Sequence, residues 1–375
     1  MKFHIKCAVI KEIAAGGSRI LDRNPLLPIF SCIKFTVTQG RLSVFVTDGV
    51  ISLQQIVPSG NELQVEESGD FVTNGILFFE MLRKWETDML CFEIKGKELH
   101  ISAEKMHMRL VLIDVLEYPD IDFDIQTGDI LQLHGKELKD LISQTLFAAS
   151  EKNSRPVLGG LNLKTDKGIL QCCATDSYRL AMKNLSITFP LEELEVSEIT
   201  IPKKALLSLS LFLKTEETVE ISMSRRKVQF LCENAILQST LLEGVYPDVR
   251  KLLPPEAAGH IVRFQKNLLL AAVNRCLFIK SDGVSIVHLH MQPEHLTVKA
   301  YDAQIGASEE RLPIDYFDED VIDIAVNGLY LLEALKALPG QDIRMYIQDA
   351  LHPFILKDRE EPELLQLLLP IRIHA

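Results

Sequence analysis

The sequence has no apolar run near the ~20 residues that a membrane-spanning helix needs. Its opening stretch, "MKFHIKCAVIKEIAAGG", breaks its apolar residues with Lys6, Lys11 and Glu12. Neither a membrane span nor a secretory leader is expected, and a cytoplasmic protein is. Cys-x-x-Cys pairs are also missing. Cys7, Cys32, Cys91, Cys172, Cys173, Cys232 and Cys276 are odd in number and lie in apolar stretches. Buried, reduced thiols are the expected outcome, not a disulfide framework or a thiolate metal site. No Gly-x-Ser-x-Gly, Walker A, His-Glu-x-x-His or Gly-x-Gly-x-x-Gly motif occurs. That removes the usual sequence signs of a nucleophile elbow, a phosphate loop, a zinc protease or a dinucleotide fold. Basic residues are in deficit, 40 Lys and Arg against 52 Asp and Glu, for a net charge of −12. Spread evenly, that balance would argue against nucleic acid. A polyanion, however, responds to the local field and not to the total.

The chain of 375 residues exceeds a single ordinary core, since domains usually run ~100–200 residues. Its landmarks recur. "EYPDI" at Glu117–Ile121 returns as "VYPDV" at Val245–Val249, 128 residues later. Alternating apolar runs flank polar turns in Ile33–Gly49, Leu161–Ser177 and Val287–Ala303, the pattern of half-buried antiparallel hairpins. These end on Asp48, Asp176 and Asp302, spaced by 128 and 126 residues. Helical stretches begin at Asn74, Pro202 and Asn327, with Gly340 as a stop for the last. An earlier helix opens each unit near Cys7–Ala15, Lys136–Ser150 and Lys266–Phe278. The reading is a unit of ~125 residues present three times, too long for a solenoid repeat of ~20–50. Each unit is an α+β domain with helices on one face of antiparallel sheet. The expected domains are residues 1–124, 125–252 and 253–375.

Charge is divided between these elements. Windows over the six helices (6–23, 74–86, 136–152, 203–214, 266–280 and 327–338) hold 16 of the 40 basic residues but only 8 of the 52 acidic ones. The helices are therefore net positive and the remainder strongly negative. Helices that face a polyanion through sequence-independent, salt-sensitive contacts fit this split. So do Lys and Arg acting simply as good helix formers on solvated faces.

The segment "CCATDSYRLAM" (Cys172–Met182) carries an Ala-Thr-Asp-x-x-Arg-Leu-Ala signature that resembles the bacterial DNA polymerase III beta subunit family, the sliding clamps. "NPLLPIFSCIKFTV", "EGVYPDVRKLLP", "VNGLYLLEALKAL" and the terminal "LPIRI" are similar to other stretches of that family, so the resemblance spans the chain. It implies three clamp domains per protomer and head-to-tail pairing into a closed homodimeric ring. Helices would line a central hole, with antiparallel sheets outside. It implies a non-catalytic processivity factor that encircles duplex DNA. That factor would tether the replicative polymerase alpha subunit, the clamp loader and other proteins with clamp-binding peptides. No cofactor, metal or membrane partner is implied.

The resemblance also assigns residues. A partner-peptide pocket between the second and third domains would use Leu158, Thr175, Ser177, Tyr178, Arg179 and Leu180. Pro247, Lys251 and Leu252 would join from the junction, and Asn327, Tyr330, Leu369, Pro370, Ile371 and Arg372 from the third domain. Apolar walls with a few oriented polar ends suit such a peptide. Arg19, Arg23, Asn24, Lys84, Lys136 and Lys139 are the expected DNA contacts of the first half. Arg155, Lys203, Lys204, Lys266 and Arg275 complete that set. Met108 and Leu110, with Leu277 and Phe278, match the family's apolar dimer contacts. Three departures stand out: Lys251 where the family often has Arg, a tail extended by His374 and Ala375, and "NGILFF" where the family commonly has basic residues. Asp48 and Asp302 share only the Asp of the signature and read as caps of hairpin corners.

Two other classes compete. His288, His290 and His295 with Glu294 offer metal-type ligands, two of them on one strand face, but Cys or Asp ligands are missing nearby. A repeat protein with a purely structural role would also explain the triplication, without explaining the charge on the helices.

Overall fold

The computed structural model describes residues 1–124, 129–152, 154–166, 168–186, 198–253, 259–280, 283–319 and 321–372. Its α-helices are Cys7–Ser18 (α1), Gly75–Leu82 (α2), Gly135–Thr145 (α3), Lys203–Leu209 (α4), Lys266–Cys276 (α5) and Gly328–Ala337 (α6). They stand at the six places that the sequence pattern marks. Each follows a strand directly, so the chain needs a device to turn from extended to helical backbone. Before α2 and α6 it is an asparagine cap. The Asn74 side chain accepts from the Leu77 N–H at 2.9 Å, and Asn327 from those of Leu329 at 3.0 Å and Tyr330 at 3.4 Å. Such caps satisfy backbone donors that a helix start leaves open. Pro202 holds the corresponding place before α4.

α3 and α5 end at Thr145 and Cys276, ahead of the expected Ser150 and Phe278, and two further helices are also shorter than expected. α2 stops at Leu82 before Trp85, and α4 at Leu209 before Lys214. In both, the chain tightens into i→i−3 bonds, Trp85 N–H to the Leu82 carbonyl and Phe212 N–H to that of Leu209, each at 3.2 Å. Tightened final turns of this kind are common where a helix ends. α6 likewise ends at Ala337, ahead of Gly340.

Backbone contacts group the chain into two compact units, Met1–Lys139 with Leu194–Leu241, and Asp140–Glu193 with Leu242–Ala375. The middle repeat contributes to both. In the first unit a 13-stranded sheet is built by pairing Ile51–Pro58 of the first repeat with Ala235–Thr240 of the second, Ile51 opposite Ser239. Its core is aromatic, with Phe35 on Phe71 at 4.5 Å and Phe3 on Phe92 at 4.7 Å between ring centroids. The second unit repeats that construction. Arg179–Ser186 pairs antiparallel with Leu364–Leu368, Arg179 opposite Leu368. A separate four-stranded sheet runs Gly306–Pro313, His295–Asp302, Ile286–Gln292, Ile322–Asn327.

The repeated Tyr-Pro-Asp corner does the same work twice. The buried Tyr118 hydroxyl donates to the Phe45 carbonyl at 3.0 Å, and buried Tyr246 to that of Cys173 at 3.4 Å. Donor and acceptor are both displaced by 128 residues between the two copies. Burial pushes both phenols well above their ordinary range. Asp48 and Asp302 behave as the expected corner caps, and Asp176 of the signature segment caps its corner in the same way. Asp48 accepts from the Val50 and Ile51 N–H groups, Asp176 from Tyr178 and Arg179, and Asp302 from Gln304 and Ile305. Gly49 follows Asp48 with φ +88°, and Ser177 takes the corresponding place with φ +78°. A serine there carries strain that a glycine avoids.

Among the described residues no helix is long and apolar enough to cross a membrane. The seven cysteines are free thiols, and all but Cys91 are buried. Burial pushes the thiols of Cys173 and Cys232 up to about 12. A raised folded-state value means that stability is full below the unfolded thiol's pKa of about 8.5. It is then lost as pH climbs from there toward 12. Denaturant melts between pH 7 and 11 should therefore show a decline above about pH 8.5, up to about 1.4 kcal/mol per pH unit for each such thiol. At pH 8, iodoacetamide should modify these two only after unfolding. Rapid labelling of the native protein at Cys173 or Cys232 would contradict the burial described.

Candidate peptide pocket and nucleic-acid surface

The Thr-Asp-x-x-Arg segment closes the hairpin of Ile169–Thr175 and Arg179–Ser186. Its hydrogen bonds fix the corner. Thr175 Oγ1 donates to the Arg179 carbonyl at 2.6 Å and accepts from the Ser177 N–H at 3.1 Å. The corner therefore aims Arg179 inward, where it is only 9% exposed. A buried guanidinium needs partners on every edge, and this one has them. Nε donates to Asp176 at 3.0 Å, Nη2 to the Phe147 carbonyl at 2.9 Å, and Nη1 to Glu333. The guanidinium lies 4.2 Å over the Tyr330 ring centroid and 5.2 Å from that of Phe147. Burial and the Asp176 carboxylate raise the Tyr330 hydroxyl.

Around this cation the structure gathers most of the expected pocket. Leu158 and Leu180 are buried in one cluster with Cys173, Met182, Tyr246, Val249, Ile355, Leu365 and Leu367. Tyr178 stands 55% exposed at the edge. The terminal segment is bound to the same hairpin, with Leu369 N–H on the Tyr178 carbonyl at 3.0 Å. Ile371 N–H then donates to the Ala325 carbonyl at 2.7 Å, which places Pro370 and Arg372 beside the strand leading to Asn327. From the junction, Tyr246 and Val249 enter the cluster, whereas Pro247, Lys251 and Leu252 are exposed on its flank. Lys251 faces Asp248 at 3.4 Å. The tail extension at His374 and Ala375 lies outside the described residues. Sequence reasoning missed Phe147 and Glu333. The i, i+3 spacing of Tyr330 and Glu333 on α6 was the available sign that both face Arg179.

The basic residues divide into two groups. Arg19, Lys84, Lys136, Lys139 and Arg155 have no ion-pair partner among the described residues. Arg23 approaches Glu80 at 3.7 Å, and the Asn24 N–H donates to Asp22 at 3.0 Å. Lys203 is half-buried at the start of α4. Three of the expected DNA contacts have intramolecular partners. Lys204 donates to the Ile20 carbonyl at 2.8 Å and to Asp48 at 2.6 Å. Lys266 caps the end of α6 through the carbonyls of Leu338 at 2.6 Å and Pro339 at 3.3 Å. Arg275 is held by both oxygens of Glu310, at 2.9 and 2.6 Å, so its charge is balanced in place. Conversely, Lys11 and Arg83 were overlooked. With Ser18 and Arg19 they line a depression of about 350 Å³, together with Ala14, Ala15, Leu82 and Leu211. The i, i+4, i+8 spacing of Lys11, Ala15 and Arg19 puts them on one helix face.

The dimer candidates lie on exposed elements. Met108 and Leu110 are half-buried on Met106–Ile113. That strand pairs with Glu98–Ala103 through residues 106–111 and with Gly69–Asn74 only through Leu112 and Ile113. Residues 106–111 thus keep one edge without a strand partner among the described residues. Leu277 packs partly against the third-repeat core, while Phe278 is 66% exposed. No group of three or more His, Cys, Asp or Glu among the described residues is placed to hold a metal ion. His290 instead pairs with Asp323 at 2.6 Å.

Comparison with known proteins covers the full chain. Residues 1–122, 132–248 and 250–372 match, in order, the N-terminal, central and C-terminal domains of the DNA polymerase III beta subunit. The beta sliding clamps of Bacillus subtilis and Halalkalibacterium halodurans are 29% and 28% identical, over all of both chains. The crystal structure of the DNA polymerase sliding clamp from Bacillus subtilis superposes with a TM-score of 0.89 at 28% identity, and covers all of both chains. The beta subunit from the DNA polymerase of Streptococcus pyogenes does so with 0.88 at 25% identity. By sequence, by the order of its three repeats and by fold, the chain belongs to the DNA polymerase III beta subunit family.

Proposed function

We propose that this chain is a DNA sliding clamp. Two copies close into a ring around duplex DNA and tether the replicative polymerase and other peptide-bearing partners, with no catalysis of their own. The observation that carries this reading is the full-length match of three successive clamp domains. We place the domain limits at 1–124, 125–252 and 253–375, and the working compartment is the cytoplasm.

Physical features support each part. A head-to-tail contact between the first domain of one copy and the third of the next needs two complementary, uncovered edges. The open edge of residues 106–111 is one. Gly306–Pro313, which pairs only with His295–Asp302 among the described residues, is the other. Edge-to-edge addition would satisfy their free backbone groups, and Met108, Leu110, Leu277 and Phe278 would supply apolar contact. On the helices and just beyond their ends, Arg19, Lys84, Lys136 and Lys139 remain available to phosphates, as does Arg155 before the turn at Pro156, with Arg23, Asn24 and Lys203 alongside and Lys11 and Arg83 added. Such contacts hold DNA without reading its sequence. The pocket at Arg179 takes the partner peptide. Its floor is Leu158 and Leu180, its edges are Thr175, Ser177, Tyr178, Pro247, Lys251 and Leu252, and its far wall is Asn327, Tyr330 and Leu369–Arg372.

Two outcomes follow. Once loaded, the protein should be retained on closed circular DNA and lost when the circle is cut; equal retention on both forms would exclude encirclement. Arg179→Ala, or deletion of Leu369–Ala375, should abolish binding of a Gln-Leu-x-Leu-Phe type peptide in a titration, while the circular dichroism stays native. Unchanged affinity in both variants would remove the pocket from this site.

A further inference from the structure

Glu98–Ala103 and Met106–Ile113 form a hairpin in the first unit, joined through Glu104 and Lys105. Glu104 has φ +43°, the positive value that so tight a turn asks of its residues. A loop this short fixes the register. His100 comes opposite Arg109, and His107 opposite Ser102. The two histidines are therefore diagonal neighbours on one face, about 7–8 Å apart along the backbone, a gap that two imidazoles can span. They do span it, with His100 Nδ1 at 3.1 Å from His107 Nε2. Met108 and Leu110 alternate onto the opposite face, so the imidazoles stand apart from the apolar residues expected at the dimer contact. They are also separate from the pocket at Arg179.

The pair suits a cation better than it suits itself. One N–H···N bond between exposed rings replaces bonds to water and stabilises little. What the hairpin supplies is convergence of two ring nitrogens. Two nitrogens bound to one zinc ion at ~2.0–2.1 Å stand about 2.9 Å apart at a right angle and about 3.4 Å apart at the tetrahedral angle. The observed 3.1 Å falls between these limits. The far nitrogen of His100, Nε2, faces Glu98 Oε2 at 3.5 Å. A carboxylate in that place favours the Nε2–H tautomer and leaves the Nδ1 lone pair free to ligate, as behind many metal-bound histidines. Glu93 stands opposite His100 on the other neighbouring strand, so carboxylates flank the pair on two sides. The nearby cations are engaged. Arg109 lies 3.6 Å from Glu98, Lys95 2.8 Å from Glu93, and Lys2 2.7 Å from Glu66. Imidazole suits zinc, copper and nickel, whereas magnesium and calcium prefer oxygen ligands.

We propose that His100 and His107 form a binding site for a divalent transition-metal ion, with zinc the simplest case. His100 ligates through Nδ1 and His107 through Nε2, and water fills the remaining positions. The proton shared between the two rings passes through solvent to His107 Nδ1, so both imidazoles bind in their neutral form. The site does not depend on the clamp reading.

The test is calorimetric titration of the metal-free, untagged protein with zinc chloride. Saturable uptake of a single ion per chain is expected, with a Kd on the order of 10–100 µM for so few protein ligands. His100→Gln and His107→Gln should each weaken uptake by about tenfold or more, with native circular dichroism. His107 is exposed, so its variant decides the matter if His100→Gln does not fold. Cys91, opposite Ser102 on the same face, is the one thiol that is not buried. Cys91→Ser should bind zinc as the native chain does. Absence of saturable uptake, or native affinity in His107→Gln, would overturn the proposal. So would loss of uptake in Cys91→Ser, which would assign the ion to the thiol, or displacement of zinc by millimolar magnesium.

Discussion

The constraint on which the rest depends is an antiparallel backbone ladder that joins one repeat to the next. Ile51–Pro58 is bound to Ala235–Thr240, and Arg179–Ser186 to Leu364–Leu368, in matching register. A one-residue slip in either ladder would turn every side chain to the opposite face. Leu180, Met182, Leu365 and Leu367 would then leave their buried cluster, and Arg179 would leave its partners. The buried tyrosines of the Tyr-Pro-Asp corners add a further lock, each hydroxyl fixing the end of its repeat to a strand carbonyl.

On this common frame the two junctions use different cations for comparable work. Lys204 of α4 bonds Asp48 and the Ile20 carbonyl. Arg179 bonds Asp176 and the Phe147 carbonyl, each acceptor displaced by 128 or 127 residues from its counterpart. In the first case the cation comes from the helix, in the second from the hairpin corner. The guanidinium has edges and a face to spare, so it also holds Glu333 and stacks on Tyr330. Those extra contacts tie the hairpin corner to α6 beside the buried cluster of Leu158 and Leu180. An ammonium could not supply them, because it donates as a point charge.

The fold was largely legible because repetition multiplies weak signals. Six helix starts and three hairpins were marked by period and turn residues, and the Asp and Tyr landmarks confirmed the spacing. The helix ends of α2 and α4 were not, since the last turn tightens for reasons that lie in tertiary contacts. Within the site, the Thr-Asp-x-x-Arg corner and its apolar floor were readable, but Phe147 was not. It contributes a backbone carbonyl and a ring face, neither of which leaves a motif. The basic residues show the limit of charge counting. Lys204, Lys266 and Arg275 counted as positive helix charge, yet each is spent on a carbonyl or carboxylate that only the fold brings near. Lys11 and Arg83 were counted in the same windows and stand on a depression instead.

The protein's net charge is negative, and the six helix windows together are net positive. Under the proposed function, helices that face a polyanion would use that division. The most direct test is electron microscopy of the purified protein with its mass measured by light scattering on the same sample. The account predicts a closed ring of two chains with a hole wide enough for duplex DNA. A monomer, or a dimer without a hole, under conditions where the protein is folded would contradict it.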